Sequence, residues 1–127
     1  MTTTVALLGT GLLGAAIAQR LLSQGISLRV WNRNPDRCRL LAEAGAQVVG
    51  DPAEAAQGVA TVITVLRDGP VTAEVVTRIG ALGGACLMPM GTMGISESVA
   101  LAAQARVQGG LYLEAPVLGS RPEALAG

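Results

Sequence analysis

The chain has 127 residues, of which 50% are hydrophobic and 14% charged, with nine Lys or Arg balanced by nine Asp or Glu. A chain of this length makes one domain, residues 1–127, with room for a core, and its neutrality gives no support to nucleic-acid or anionic-membrane partners. All nine basic residues are arginine and there is no histidine and no lysine, which removes the usual general bases and any histidine-ligated metal site.

The charged share lies below the ~25% usual in globular domains. Aromatic residues make up 2% and Phe is absent, so the core must be built from Ala, Val, Leu and Ile. The low charge fits a surface covered by another domain or subunit, and it fits simple Ala/Gly richness equally well. Cys38 and Cys86 fall in different predicted elements. They read as two buried free thiols of a cytoplasmic protein. No apolar run reaches the ~18 residues of a membrane-spanning helix. Val5–Ala18 looks like a signal-peptide core, but Met1–Thr4 carries no basic side chain, which such leaders require.

The first element is a short apolar run, Val5–Leu8, leading into Gly9-Thr10-Gly11-Leu12-Leu13-Gly14 and an Ala/Leu-rich segment. This predicts strand, tight turn and helix, the helix running from Leu12 to near Gln24 with Gly25 as its cap. In a G-x-G-x-x-G turn the first glycine allows the sharp exit from the strand. The second lets the backbone approach a pyrophosphate, and the third lets the helix pack closely on the sheet. The helix start then presents free N–H groups and its positive dipole end to the anion. Other α/β folds share the spacing, S-adenosylmethionine methyltransferases above all. The position between a clear strand and a clear helix favours a dinucleotide.

Ile26–Trp31 reads as the second strand, with Leu28 and Val30 on one face. Asn34 before Pro35 reads as the cap of a second helix that carries Cys38, Leu40 and Leu41 and stops near Gly45. Ala46–Val49 is a short third strand, and Asp51-Pro52-Ala53-Glu54 resembles a capping box opening a short third helix. Val59–Leu66 is an unbroken apolar strand, as a parallel sheet covered on both faces requires. A helix from Pro70 to near Ile79, a strand over Ala85–Met90 and a helix over Ile95–Val107 follow. The last of these carries Val99, Leu101, Ala102 and Ala105 and ends at Gly109-Gly110. Leu111–Glu114 is a sixth strand, and Ala115–Ser120 is a loop. Strand and helix alternate throughout, which implies right-handed βαβ units. The expected fold is α/β: a Rossmann-type, doubly wound, mainly parallel sheet of about six strands, with its crevice at the switch point.

The end of the second strand bears on the choice of ligand. NAD-binding domains place an acid there, about 20 residues past the first glycine, to hold the ribose hydroxyl. This chain has Trp31-Asn32-Arg33 instead. An acid would repel a 2′-phosphate, whereas an arginine offers a planar fork suited to one. Arg37, one helical turn further, would add a second charge. These residues point to NADP(H) over NAD(H), unless Arg33 and Arg37 are only solvated surface. The missing acid also weighs against a methyltransferase.

Six motifs in one order then give a resemblance covering essentially the whole chain. They are Gly9–Gly14, Trp31-Asn32-Arg33, Asp51–Ala55, Val62–Asp68, Met90–Met93 and Leu113–Ser120. The chain resembles the N-terminal domain of the β-hydroxyacid dehydrogenases, the family of the 3-hydroxyisobutyrate dehydrogenases and, nearest in its Leu113-Glu-Ala-Pro form, the glyoxylate/succinic semialdehyde reductases. The resemblance implies that Thr10, Gly11, Leu12 and Leu13 bind pyrophosphate through backbone N–H groups. It implies that Asn32, Arg33 and Asn34 hold the adenosine ribose and its phosphate, and that Leu66 and Arg67 border the cofactor. Thr92 would lie near the nicotinamide ribose and the substrate, and Leu118, Gly119 and Ser120 would bind the substrate carboxylate.

Three positions depart from the family. Arg67 stands where Pro is usual, and Gly91 and Leu118 where Ser is usual. Either backbone N–H groups and Ser120 suffice for a carboxylate, or the substrate is less polar, as for the imine reductases that share this architecture. The resemblance implies a catalytic lysine in a second, all-helical domain, which is expected to lie outside these 127 residues. No catalytic residue is therefore assigned within this chain. Tyr112 reads as core, and Glu114 as a capping or pairing residue.

The expectation is the NADP(H)-binding domain of an oxidoreductase that reduces small semialdehydes or 2-oxo acids by hydride transfer. Its small-molecule partner would be a carboxylic acid or aldehyde, and a homo-oligomer is compatible with the family. The chain by itself, a fragment or truncated product, would turn over little. The alternatives are a non-catalytic NADP-binding or interaction module and an imine reductase-like enzyme.

Overall fold

A computed structural model of the protein describes residues 4–90 and 93–114. Six strands, β1 (Thr4–Leu8), β2 (Ser27–Trp31), β3 (Gln47–Val48), β4 (Thr61–Thr64), β5 (Cys86–Pro89) and β6 (Leu111–Tyr112), form one sheet in the order β3-β2-β1-β4-β5-β6. Every neighbouring pair is parallel. This is the doubly wound order expected from the alternation of strands and helices.

The helices divide between the two faces. Helix α1 (Leu12–Ser23) packs on one face with a second helical segment, a 3₁₀ turn over Pro35–Cys38 that continues as α2 (Arg39–Glu43). Their side chains Ala18, Cys38 and Leu41 meet Val5, Leu7, Leu28, Val30 and Ile63 of the sheet. Helices α3 (Pro52–Ala56), α4 (Gly69–Ile79) and α5 (Ile95–Val107) cover the other face. There Ala55, Val75, Val76, Ile79, Leu101 and Ala105 meet Ala6, Leu8, Val62 and Leu87. Strands with both faces covered show why β1 and β4 are apolar without alternation. The chain leaves β1 toward one face and β4 toward the other, which opens a crevice beyond their C-terminal ends.

Several boundaries differ from expectation, each for a local reason. The second helix is split because Asn34 caps a tight turn: its Oδ1 accepts from the Asp36 N–H at 3.1 Å, and the Arg37 N–H bonds back to the Asn34 carbonyl. β4 is shorter than Val59–Leu66. The Val59 N–H still closes a turn onto the Ala56 carbonyl, and Leu66 has already left the sheet for the crevice. Asp51 caps α3 by accepting from the Ala53 N–H at 3.2 Å, whereas the reciprocal carboxylate contact occurs at α5, where Glu97 accepts from the Gly94 N–H at 3.0 Å. α5 has the expected span, but Val99 is 65% exposed, together with Ile95 and Val107, because only the Ser98-Leu101-Ala105 face meets the core. Both cysteines are free thiols; Cys38 is buried, whereas Cys86 is only half-buried, on a strand near the edge. Among the described residues, no helix is long and apolar enough to cross a membrane.

Candidate functional site

The crevice is built on the turn between β1 and α1. Gly9 has φ +108°, where side chains are strained, and a Cβ there would drive into the Val65 carbonyl oxygen. A Cβ on Gly14 would drive into the carbonyl oxygen of Gly9. The first and third glycines are therefore required by packing within the turn and against the β4 end. Gly11 is different. Its backbone is extended, and nothing lies within 4 Å of a Cβ built there. Its openness leaves free the space in front of α1. That helix begins at Gly11 without a side-chain cap and without an acid in its first turn, so its leading N–H groups are left for an outside acceptor.

In front of the turn lies a cleft of about 440 Å³, lined by Gly9, Gly11–Gly14, Asn32, Arg37, Val65, Leu66, Arg67 and Met90. A second hollow of about 200 Å³ adjoins it, formed by Trp31, Arg33, Val71 and Val75 and sharing Asn32, Leu66 and Arg67 with the cleft. No acidic residue lines either space, while Arg33, Arg37 and Arg67 do. Uncapped helix N–H groups and three guanidinium groups suit a ligand with several phosphates. The apolar hollow beside them suits a flat ring.

The polar side chains at the β2 end are partly engaged within the protein. Asn32 accepts from the Thr10 N–H at 2.9 Å and donates through Nδ2 to the Asn34 carbonyl at 3.0 Å, tying the glycine turn to the loop after β2. Thr10 is buried, and its hydroxyl donates to the Arg37 carbonyl at 3.2 Å. The Thr10 N–H thus already has an acceptor, and the Asn34 carboxamide oxygen serves as a cap. The charged groups at this rim are guanidinium ions. Arg33 lies 3.6 Å from Glu74 of α4, and Arg67 lies 3.3 Å from Asp68, with both pairs well exposed.

The structure brings Gly9, Gly11–Gly14, Asn32, Arg33, Arg37, Leu66 and Arg67 together around these two spaces. Thr92, Leu118, Gly119 and Ser120 lie outside the described residues. Glu114 accepts from the Ser98 hydroxyl at 2.6 Å, and the Tyr112 hydroxyl lies 3.0 Å from the same oxygen. Both side chains therefore belong to a polar cluster with α5. Tyr112 is half-buried rather than full core.

Sequence reasoning missed one contribution, a stripe on α4. Val71 and Val75 wall the second hollow, Glu74 meets Arg33, and Arg78 sits 5.4 Å from the centre of the buried Trp31 ring. Their spacing of i, i+3, i+4 and i+7 was legible as one helical face. Which strand end that face would meet depends on the sheet order.

An all-parallel sheet of this order, with a glycine turn at its switch point, defines a dinucleotide-binding Rossmann domain. Residues 4–127 match the family described as the NAD binding domain of 6-phosphogluconate dehydrogenase, and the chain belongs to that family. It is 29% identical over 128 residues to glyoxylate/succinic semialdehyde reductase 2 of Arabidopsis thaliana, covering 97% of this chain and 36% of that protein. The solved 3-hydroxyisobutyrate dehydrogenase of Mycobacterium tuberculosis superposes with a TM-score of 0.88 at 28% identity, over 99% of this chain and 44% of that one. An imine reductase from Pseudomonas sp. superposes with a TM-score of 0.91 at 25% identity, over 97% and 44%. The chain thus spans less than half the length of these relatives. The resemblance to the β-hydroxyacid dehydrogenases read from the motifs is borne out.

Proposed function

We propose that this domain binds NADP(H) for an oxidoreductase that reduces small semialdehydes or 2-oxo acids. The observation that carries the cofactor reading is the set of Arg33, Arg37 and Arg67 around two adjoining spaces that no acid lines. The N–H groups of Gly11, Leu12 and Leu13 would hold the pyrophosphate, and the hollow between Trp31, Leu66, Val71 and Val75 would take the adenine. Arg33, at the rim of that hollow, would meet the 2′-phosphate, with Arg37 adding charge from the cleft. Asn32 and Asn34 would act by fixing the loop that carries Arg33. Thr92, Leu118, Gly119 and Ser120 would serve the substrate end.

When bound, the nicotinamide supplies a hydride to a carbonyl carbon. The chain's own groups bind and orient. None of its 127 residues is lysine or histidine, so we expect these residues alone to oxidise NADPH with glyoxylate or succinic semialdehyde no faster than a protein-free control. The substrate class rests on the reductase relatives. The likeness to an imine reductase, with Gly91 and Leu118 in place of serines, supports a second reading in which the substrate is a less polar imine.

A thermal-shift series tests the cofactor, because a ligand stabilises the fold that binds it. NADPH should raise the melting temperature more than NADH at equal concentration, and S-adenosylmethionine should leave it unchanged. A larger shift with NADH would overturn the NADP(H) assignment.

A further inference from the structure

Among the described residues, Glu74 is the acidic side chain of helix α4 that meets a guanidinium of the second hollow. It lies on α4 between Val71 and Val75, which wall the hollow, and its Oε1 is 3.6 Å from Nη2 of Arg33. Both side chains are more than half exposed, at 61% and 66%. The other charged groups nearby have their own places. Arg67 pairs with Asp68, Asp68 caps α4 through the Val71 N–H at 2.9 Å, and Arg78 sits over Trp31.

We propose that Glu74 is a specificity-determining residue: it competes with the 2′-phosphate of the dinucleotide for Arg33 and so weakens the preference for the phosphorylated cofactor. The proposal rests on the reading of Arg33 as the 2′-phosphate ligand. A single carboxylate at 3.6 Å is longer than the 2.7–2.9 Å of a tight charge-assisted hydrogen bond. In exposed surroundings such a pair is weak and readily exchanged. A phosphate brings more charge and three acceptor oxygens, so it displaces the carboxylate. Glu74 then remains at the rim as a like charge facing the phosphate. A dinucleotide without the 2′-phosphate meets neither the competition nor the repulsion. The same Glu74 that pairs loosely with Arg33 in the free protein thereby subtracts from NADPH binding and leaves NADH binding almost untouched.

Calorimetric titration of the full chain with NADPH and NADH tests this, on the unaltered protein, Glu74→Gln, Arg33→Ala and the double variant. Glu74→Gln should bind NADPH about two- to fivefold tighter, the range expected for an exposed pair, with NADH within experimental scatter. In the Arg33→Ala background the same change should gain less, and 0.5 M salt should shrink the gain through screening. If Arg33→Ala weakens NADPH while Glu74→Gln leaves the NADPH/NADH ratio unchanged, the proposal is wrong and the reading of Arg33 stands. If Arg33→Ala leaves NADPH binding unchanged, the reading of Arg33 fails and takes the proposal with it. Glu74 is exposed and caps nothing, so circular dichroism should show an unchanged fold for Glu74→Gln.

Discussion

The glycine turn and the arginine rim serve the same site by opposite physics. The turn is fixed by contact: Gly9 and Gly14 leave no room for a single carbon, and the sheet and helix meet through them. The rim is fixed by charge: Arg33 is exposed, loosely paired with Glu74, and free to change partners. On the proposed reading, the first region lets a dinucleotide lie here and the second sets which one. Substitutions in the turn should therefore show up as stability, and substitutions at the rim as ligand preference.

The largest effect should come from Gly14→Ala, whose methyl group meets the Gly9 carbonyl oxygen. Overpacking against backbone should cost about 3 kcal/mol, readable in chemical denaturation. A loss under about 0.5 kcal/mol would mean that the turn relaxes and the contrast with the rim fails. Gly11→Ala separates two roles within the turn itself. Nothing lies within 4 Å of its new methyl group, so stability should stay within about 0.5 kcal/mol, while NADPH affinity falls about tenfold or more through lost approach to the pyrophosphate. Parallel melting and titration of this variant would check both halves.

Arg33→Ala should leave the melting temperature of the free protein unchanged and weaken NADPH about tenfold, as for loss of a hydrogen bond to a charged group. NADH affinity, measured alongside, should hold. The smallest effect belongs to a third region that neither contact nor charge constrains. Val99 projects from α5 with 65% exposure, so Val99→Ser should change stability by no more than about 0.5 kcal/mol.

A different division, between what local spacing encodes and what only the sheet order brings together, separates what the sequence reveals from what it hides. Gly9, Gly11 and Gly14 were legible because their spacing encodes the turn directly, and the apolar run at β4 announced a sheet covered on both faces. The strand order followed from alternation and handedness. The α4 stripe of Val71, Glu74, Val75 and Arg78 was not legible as part of the site. Its partners Trp31 and Arg33 are about 40 residues away along the chain, and only the 3-2-1-4 order brings them together. The family resemblance implied that Asn32 holds the ribose. Its engagement with the Thr10 N–H is a contact across 22 residues that no local pattern encodes. The buried side of α5 was hidden for a related reason. α5 is apolar on several sides, so periodicity could not say which side meets the sheet.

The central claim is that a dinucleotide lies from the start of α1 to the hollow beside Trp31. Amide NMR of the isotope-labelled chain during NADPH titration tests it most directly. Saturable shifts should appear at Gly11, Leu12 and Leu13, at Arg33, and at Val71 and Val75 of α4. Shifts confined to the opposite end of the sheet, around Gly58 and Leu82, would contradict the account, as would the absence of saturable binding.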